Sequence, residues 1–298
     1  MDTSTVKSDA LLLTTAVIWG FAFVAQRVGM DFVGPFIFNG VRFALGCLVL
    51  LPFILMNGRN TSNRAEKTRS ANTKTGIIGG LIAGVVLFSG ASLQQVGLVY
   101  TTAGNAGFIT GLYVVIVPIL GVLLRHRTNI GTWTGAALAA IGLYLLSVTE
   151  AFTIAFGDLL VLIGALFWAV HVLLIGWLSP KLDSFRLAFL QYAACSILSL
   201  IVAAVFEDNT INGMFQAIIP VLYGGILSVG IAYTLQIVAQ KHAHPAHAAI
   251  ILSLEAVFAA VGGWVILDET LTQRELLGCS LMLGGMFTSQ LWKFMWSK

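Results

Sequence analysis

Ten apolar runs divide this chain, and they restrict what it can fold into more than any single motif does. They lie near residues 11–29, 35–56, 76–98, 104–124, 132–149, 158–178, 187–206, 217–240, 248–267 and 275–292. A helix needs roughly 17–25 apolar residues to cross the hydrocarbon layer of a bilayer, and every run reaches that length. Inside lipid each backbone N–H and C=O must be satisfied within the protein, so such runs form helices. The expectation is an all-α integral membrane protein with ten transmembrane helices. Composition agrees, since 58% of the 298 residues are hydrophobic and only 10% are charged. A soluble domain carries about 25% charged residues, and so few charges cannot cover a water-facing surface of this size. Cys47, Cys195 and Cys279 all fall inside apolar runs, which suits free buried thiols. The first run has no small-residue cleavage site, so it reads as a span rather than a removable signal.

Loop charge sets the expected orientation. With the amino terminus taken as cytoplasmic, 13 of the 16 Lys and Arg fall in inner loops and tails, from Lys7 through the basic 57–75 loop to Lys298. Only Arg274 lies in an outer loop, and Arg27 and Arg42 lie within spans. Positive charge is retained on the cytoplasmic side, so both termini are expected there. Ser62 and Asn72 should then face inward, and Asn209 and Thr272 outward.

The halves repeat. A shift of 149 places Trp19 on Trp168 and Arg42-Phe43 on Gln191-Tyr192. A shift of 142 places Leu112-Tyr113 on Leu254-Glu255. A shift of 143 places Gly135, Leu138 and Gly142 on Gly278, Leu281 and Gly285. Five spans is an odd number, so the second half must enter the membrane inverted. Equivalent loops carry opposite charge, as that requires: Arg125 and Arg127 follow the fourth run, while Asp268 and Glu269 follow the ninth. The expected domains are two inverted five-helix repeats, 11–148 and 158–292. Inverted repeats typify secondary transporters that bind substrate near the bilayer midplane between the halves.

Several stretches resemble the drug/metabolite transporter superfamily, in particular ten-span members with two EamA-type repeats. They are "AVIWGFAFVAQRVG" and "FNGVRFALG" in the first two runs, "TTAGNAGFITGLYVVIVPILGVLL" through the fourth, and "SLEAVFAAVGGWVILDETLTQRELLGCSLMLGG" over the last two. The resemblance implies an inner-membrane carrier of small metabolites working by alternating access. It also implies that four helices of each repeat surround a central cavity, with the fifth peripheral. The family's ninth span often reads Leu-Glu-Pro where this chain has Leu254-Glu255-Ala256, so a proline kink is not expected here.

Glu255 is the leading site candidate. An acid at a helix centre costs about 2.5–3.5 kcal/mol on insertion, which the aliphatic residues around it outweigh at roughly 0.3–0.6 kcal/mol each. It should therefore face a cavity or a partner. His247 and Ile251 precede it at i−8 and i−4, on one face of a continuous helix, and the 142 shift places Asn105, Ile109 and Tyr113 in the matching positions. Arg42 sits deep in the second run and could pair with Glu255 or hold an anionic group. Trp19 and Trp168 lie mid-span, where aromatic walls suit flat or amphiphilic solutes. His171 and Gln191 are polar wall candidates, while Gln94, Gln95, Tyr100, Tyr233 and Gln236 rank below them. Arg27 is near enough to a helix end to reach the interface. The "KHAHPAH" stretch at 241–247 lacks a regular metal-ligand spacing and reads as a turn, so no metal or cofactor is expected.

The function class is a secondary transporter for a small organic metabolite or drug-like solute, in the cell (inner) membrane as a monomer or homodimer. No Walker-type G-x-x-x-x-G-K-[ST] segment is present, so protons or exchange are the candidate coupling modes and nucleic acid is not an expected partner. A receptor or channel-like module is one alternative class. An intramembrane enzyme is another, disfavoured because Glu255 reads as the only acid at depth.

Overall fold

The structure, a computed structural model, describes residues 3–59, 66–125, 128–147, 156–208, 211–266 and 272–296. Ser62 and Asn209 lie outside the described residues. Within them the chain is helical throughout and forms no strand. Helices α1 (Thr3–Gly29), α2 (Pro35–Arg59) and α3 (Glu66–Tyr100) are followed by α4 (Ala103–Gly111), α5 (Tyr113–Leu123) and α6 (Ile130–Ser147). The second half holds α7 (Phe156–Leu178), α8 (Ser184–Phe206) and two short helices, α9 (Ile211–Gln216) and α10 (Ile218–Leu222). A π-helical stretch, Tyr223–Tyr233, runs on into α11 (Thr234–Ala239), followed by α12 (Pro245–Leu252), α13 (Glu255–Ile266) and α14 (Gln273–Trp296).

Eight segments are long and apolar enough to cross a membrane, among them the composite spans Ala103–Leu123, Ile218–Ala239 and Pro245–Ile266. The other two runs fall on α6 and α14, whose apolar stretches Ile130–Gly142 and Leu276–Ser289 are shorter. Side chains such as Leu123, Phe206 and Ile219 stand more than two-thirds exposed on the outer surface, where lipid replaces water as the solvent. The chain is a multi-pass membrane protein.

Helix starts follow from local chemistry. Pro35 and Pro245 open α2 and α12, since the first helical position needs no N–H donor. Thr102 caps α4 by accepting from the Asn105 amide at 3.1 Å, and Asp183 caps α8 by accepting from the Arg186 amide at 3.0 Å. The α2 amides of Phe36 and Ile37 donate to the two carboxylate oxygens of Glu207, each at 2.8 Å. A carboxylate at a helix N-terminus neutralises otherwise orphaned donors.

Two helix pairs cross closely and antiparallel. On α2 and α8, Ser196 Oγ donates to Gly40 O at 2.8 Å, Cys47 Sγ lies 3.7 Å from Phe189 O, and the rings of Phe53 and Phe185 stack. On α6 and α14, a Cβ at Gly135 would stand 2.7 Å from Gly285 O, and one at Gly142 would stand 2.5 Å from Gly278 O. Only glycine allows backbones this near.

Four features differ from the expectation drawn from the sequence. The fourth and ninth runs are not continuous, because each breaks into two helices, at Leu112 and at Ser253-Leu254. At the second break Ser253 Oγ donates back to Ile250 O at 2.9 Å, while Leu254 and Ala256 donate three residues back rather than four. Such back-bonding competes with the regular ladder and tightens the turn. No proline is needed to produce it. The eighth run is also irregular, with the π-helix at its centre. Part of the 57–75 loop is helical, since α3 begins at Glu66. Lastly, α1 begins early enough to include Asp9, an acid buried near the helix's start that the apolar run from Leu11 left out.

Candidate functional site

The two breaks meet. Tyr113 is the first residue of α5 and Glu255 the first of α13, and the Tyr113 hydroxyl faces the Glu255 carboxyl across a central cavity. Neither Tyr113 Oη nor Glu255 Oε1 completes a hydrogen bond within the protein, although both atoms are buried. Irregular backbone inside a membrane protein is tolerated where it is buried in protein or lines a cavity, and the residue after each break lines this one.

Arg42 reaches the same cavity from α2. It is 2% exposed, and its guanidinium carbon lies 5.7 Å from the Phe38 ring centre and 5.1 Å from that of Phe43. Its Nε has no partner. Among the described residues neither Arg42 nor Glu255 enters an ion pair, with each other or with any third group. An acid and a base therefore share one cavity without pairing, an arrangement that is costly when both are ionised unless something else completes it.

The walls are aromatic. Tyr233, at the end of the π-helix, is the hub, with its ring centre 4.5 Å from Trp19, 6.1 Å from Trp168 and 6.1 Å from His171. The wide π-helical turn presents carbonyls that α1 satisfies: Ser228 O accepts from Trp19 Nε1 and Ala232 O from Thr15 Oγ1, each at 3.2 Å. On the opposite wall Gln94 Oε1 accepts from Trp168 Nε1 at 2.9 Å and from Thr110 Oγ1 at 3.3 Å, and the Gln94 amide donates to Gln26 Oε1. Gln236 also lines the cavity, with neither end of its amide bonded. The central space is only about 30 Å³. That holds about two waters, whereas solute pockets measure roughly 300–1,000 Å³. The cavity is contracted.

Six of the nine leading sequence candidates converge here: Glu255, Arg42, Trp19, Trp168, His171 and Tyr113. Three do not line it. Gln191 stands behind His171, with its amide 3.0 Å from Nε2. His247 does not share a working face with Glu255. Eight residues of helix separate groups by about 12 Å, and the break at Ser253-Leu254 resets the register between them. Instead His247 bonds Asp9 and Ser289. Asn105 sits in the first turn of α4, away from the cavity. Of the second-rank candidates, Tyr233, Gln94 and Gln236 line the cavity, Gln95 bonds the α1 backbone beside it, and Tyr100 is exposed against Phe156. Arg27 is paired with Asp31 at 2.8 Å near the helix end. In the 241–247 stretch His244 caps α12, and no group of three potential metal ligands occurs among the described residues.

Phe23, Gln26, Thr110, Val172 and Ser228 also line the cavity and were not candidates from the sequence. Trp19, Phe23 and Gln26 recur at helical spacing, a signal that could have found two of them.

The EamA-like transporter family profile matches residues 6–148 and again 155–289. An "uncharacterized transporter" of Archaeoglobus fulgidus is 35% identical, over 93% of this chain and 83% of its own length. The "uncharacterized transporter YoaV" of Bacillus subtilis is 23% identical over 95% of this chain and 96% of its own. The "uncharacterized inner membrane transporter YedA" of Escherichia coli is also 23% identical, over 95% and 90%. A solved crystal structure superposes with a TM-score of 0.76 over 98% of this chain and 99% of its own at 19% identity, which is a shared fold.

Proposed function

The chain belongs to the EamA-like transporter family, and from that premise we propose that it is a secondary transporter which carries a small organic solute through the central cavity by alternating access. The single observation that carries this reading is the buried, unpaired acid and base, Glu255 and Arg42, in one aromatic-walled cavity. A solute bearing both an amine and an acid group would complete both charges, and the rings of Trp19, Trp168 and Tyr233 would cover its apolar part. The contracted volume supports a cycle in which the cavity must widen towards one side to admit the solute.

Contacts between the helices support two inverted repeats, within 11–148 and 158–292. A 149-residue shift carries Gly40 onto Phe189 and Cys47 onto Ser196, so it interchanges the contacts Gly40–Ser196 and Cys47–Phe189. A 143-residue shift likewise interchanges Gly135–Gly285 with Gly142–Gly278. Tyr113 meets its own counterpart, Glu255, as a residue on a two-fold axis must. Antiparallel equivalent helices fit an axis in the membrane plane. On this reading α6 and α14 complete a ten-span protein whose termini face the cytoplasm of the cell's inner membrane.

The test is a thermal-shift screen of the purified protein with zwitterionic, cationic, anionic and neutral metabolites, followed by counterflow of any hit in proteoliposomes. Zwitterions should stabilise the wild type, and Glu255→Gln should abolish the shift while leaving the ligand-free melting temperature close to wild type. Stabilisation by neutral solutes alone, unchanged in Glu255→Gln, would overturn the reading.

A further inference from the structure

Away from the cavity, one cluster of ionisable groups is not used by that reading. Asp9 of α1, His247 in the first turn of α12 and Ser289 of α14 are 8%, 5% and 3% exposed. His247 Nε2 lies 2.9 Å from Asp9 Oδ1, and Nδ1 lies 3.2 Å from Ser289 Oγ. The second Asp9 oxygen, Oδ2, is buried with no partner. Other ionisable groups stand on the elements packed around α12. Among those whose side chains are described they are Lys7 and Arg27 on α1, Lys241, His242 and His244 in the turn before α12, Tyr113 on α5 and Arg125 just beyond it, Asp158 and His171 on α7, Tyr144 on α6, and Arg274 and Cys279 on α14. Among the described residues, none of them hydrogen-bonds or ion-pairs with the Asp9 carboxyl or the His247 ring.

The chemistry of this cluster suits a proton that comes and goes. A buried carboxylate with a single partner calls for a positive one, and an imidazole supplies that charge by taking up a proton. With both ring nitrogens protonated, Nε2 donates to Asp9 and Nδ1 donates to Ser289 Oγ. With Nδ1 bare, the serine hydroxyl turns and donates to it instead. A hydroxyl can do both, where a backbone carbonyl could accept only. The order of groups resembles a serine hydrolase triad, but Ser289 is packed where a Cβ added at Gly135 would come within 2.9 Å of its own Cβ. That leaves no room for an acyl group.

Position links the cluster to the cavity. It ties α1 to α12 and α14 across 238 residues of sequence, and α12 ends at Leu252, immediately before the break that sets Glu255. We propose that Asp9, His247 and Ser289 form a proton-binding latch which holds α12 against α1 and closes this end of the cavity while the imidazolium is present. Loss of the Nδ1 proton to water at that end removes the charge from the pair and leaves only the weaker hydrogen bonds of a neutral imidazole, so that α12 separates from α1 more readily and the cavity opens on that side. The latch is thus a proton site separate from Glu255, and it does not depend on which solute is carried.

The experiment uses the full chain in vesicles, with Cys47, Cys195 and Cys279 changed to alanine and Ser228→Cys as the cavity reporter. A membrane-impermeant maleimide is applied from the Asp9–His247 side. Its rate is divided by that of the same thiol in denatured protein at the same pH, which removes the thiol's own titration. The corrected rate should rise about five-fold or more as the pH is raised across the range in which the protein stays folded, a typical site-to-site coupling. His247→Gln and Asp9→Asn keep polar groups in place and abolish the titration, so each should flatten the profile. Either variant suffices if the other does not reach the membrane. A flat profile in the parent would overturn the proposal. So would a parental profile surviving in His247→Gln, which would assign the proton to another group such as Glu255. Neither result touches the transport reading, which rests on solute binding.

Discussion

At the residue scale, the cavity is defined by what its charged groups lack. Arg42 is held by rings and Glu255 by burial, and neither has an opposite charge beside it. Arg42→Gln should therefore preserve folding, since no ion pair is broken, and should weaken a solute's acid group selectively. A charge-assisted hydrogen bond is worth about 1.5–3 kcal/mol, so affinity should fall roughly 10- to 100-fold. Titration calorimetry with a zwitterion and its descarboxy amine reads this directly: the zwitterion should lose affinity in the variant and the amine should not. Equal losses for both would mean that Arg42 shapes the cavity without contacting the acid. Tyr113 offers a second probe. Tyr113→Phe removes a hydroxyl that has no completed hydrogen bond, so the melting temperature should stay near wild type while transport slows. A large drop in stability would show that the hydroxyl is structural.

At the element scale, the irregular helices carry the site and the regular ones support it. The breaks at Leu112 and at Ser253-Leu254 turn Tyr113 and Glu255 towards each other, and the π-helix brings Tyr233 to the centre of the aromatic wall. The glycine seam between α6 and α14 has a packing role at the periphery. Gly142→Val places methyl groups where even a Cβ would be 2.5 Å from Gly278 O. Overpacking of this kind costs about 1–3 kcal/mol, and the seam contributes no cavity residue. The expected result is a lower melting temperature in detergent with unchanged solute affinity in the protein that remains folded. Loss of affinity at full stability would instead place the seam in the transport cycle.

At the scale of the whole molecule, the two ends differ in chemistry. One carries Asp9, His247 and Ser289. The other carries Asp31, Asp158 and the Glu207 carboxylate over the α2 N-terminus. On the proposed orientation the first end faces the cytoplasm, the side that an excess of basic loop residues favours. In whole cells expressing single-cysteine proteins, an impermeant maleimide should label Phe32→Cys and spare Pro180→Cys, and inside-out vesicles should reverse the pattern. Labelling of position 180 from outside would invert the orientation and, with it, the side on which the latch opens.

The apolar runs, the family and the charge asymmetry were legible in the sequence because insertion into lipid is decided segment by segment, from composition and length. The repeat was legible because equivalent glycines and aromatics recur at fixed shifts, and Trp19, Arg42, Trp168 and Glu255 stood out as polar or bulky groups at depth. Tertiary structure decided which of them meet. The turn at Ser253 depends on a side chain choosing a local carbonyl over the helix ladder, and composition carries no sign of that choice. His247 lies on an unbroken stripe towards Glu255 in the sequence, yet it turns to Asp9, 238 residues away, because the chain's ends pack together only once the helices assemble. A buried polar group takes the partner that assembly brings within 3 Å, and the spacing of residues along one helix does not contain that information.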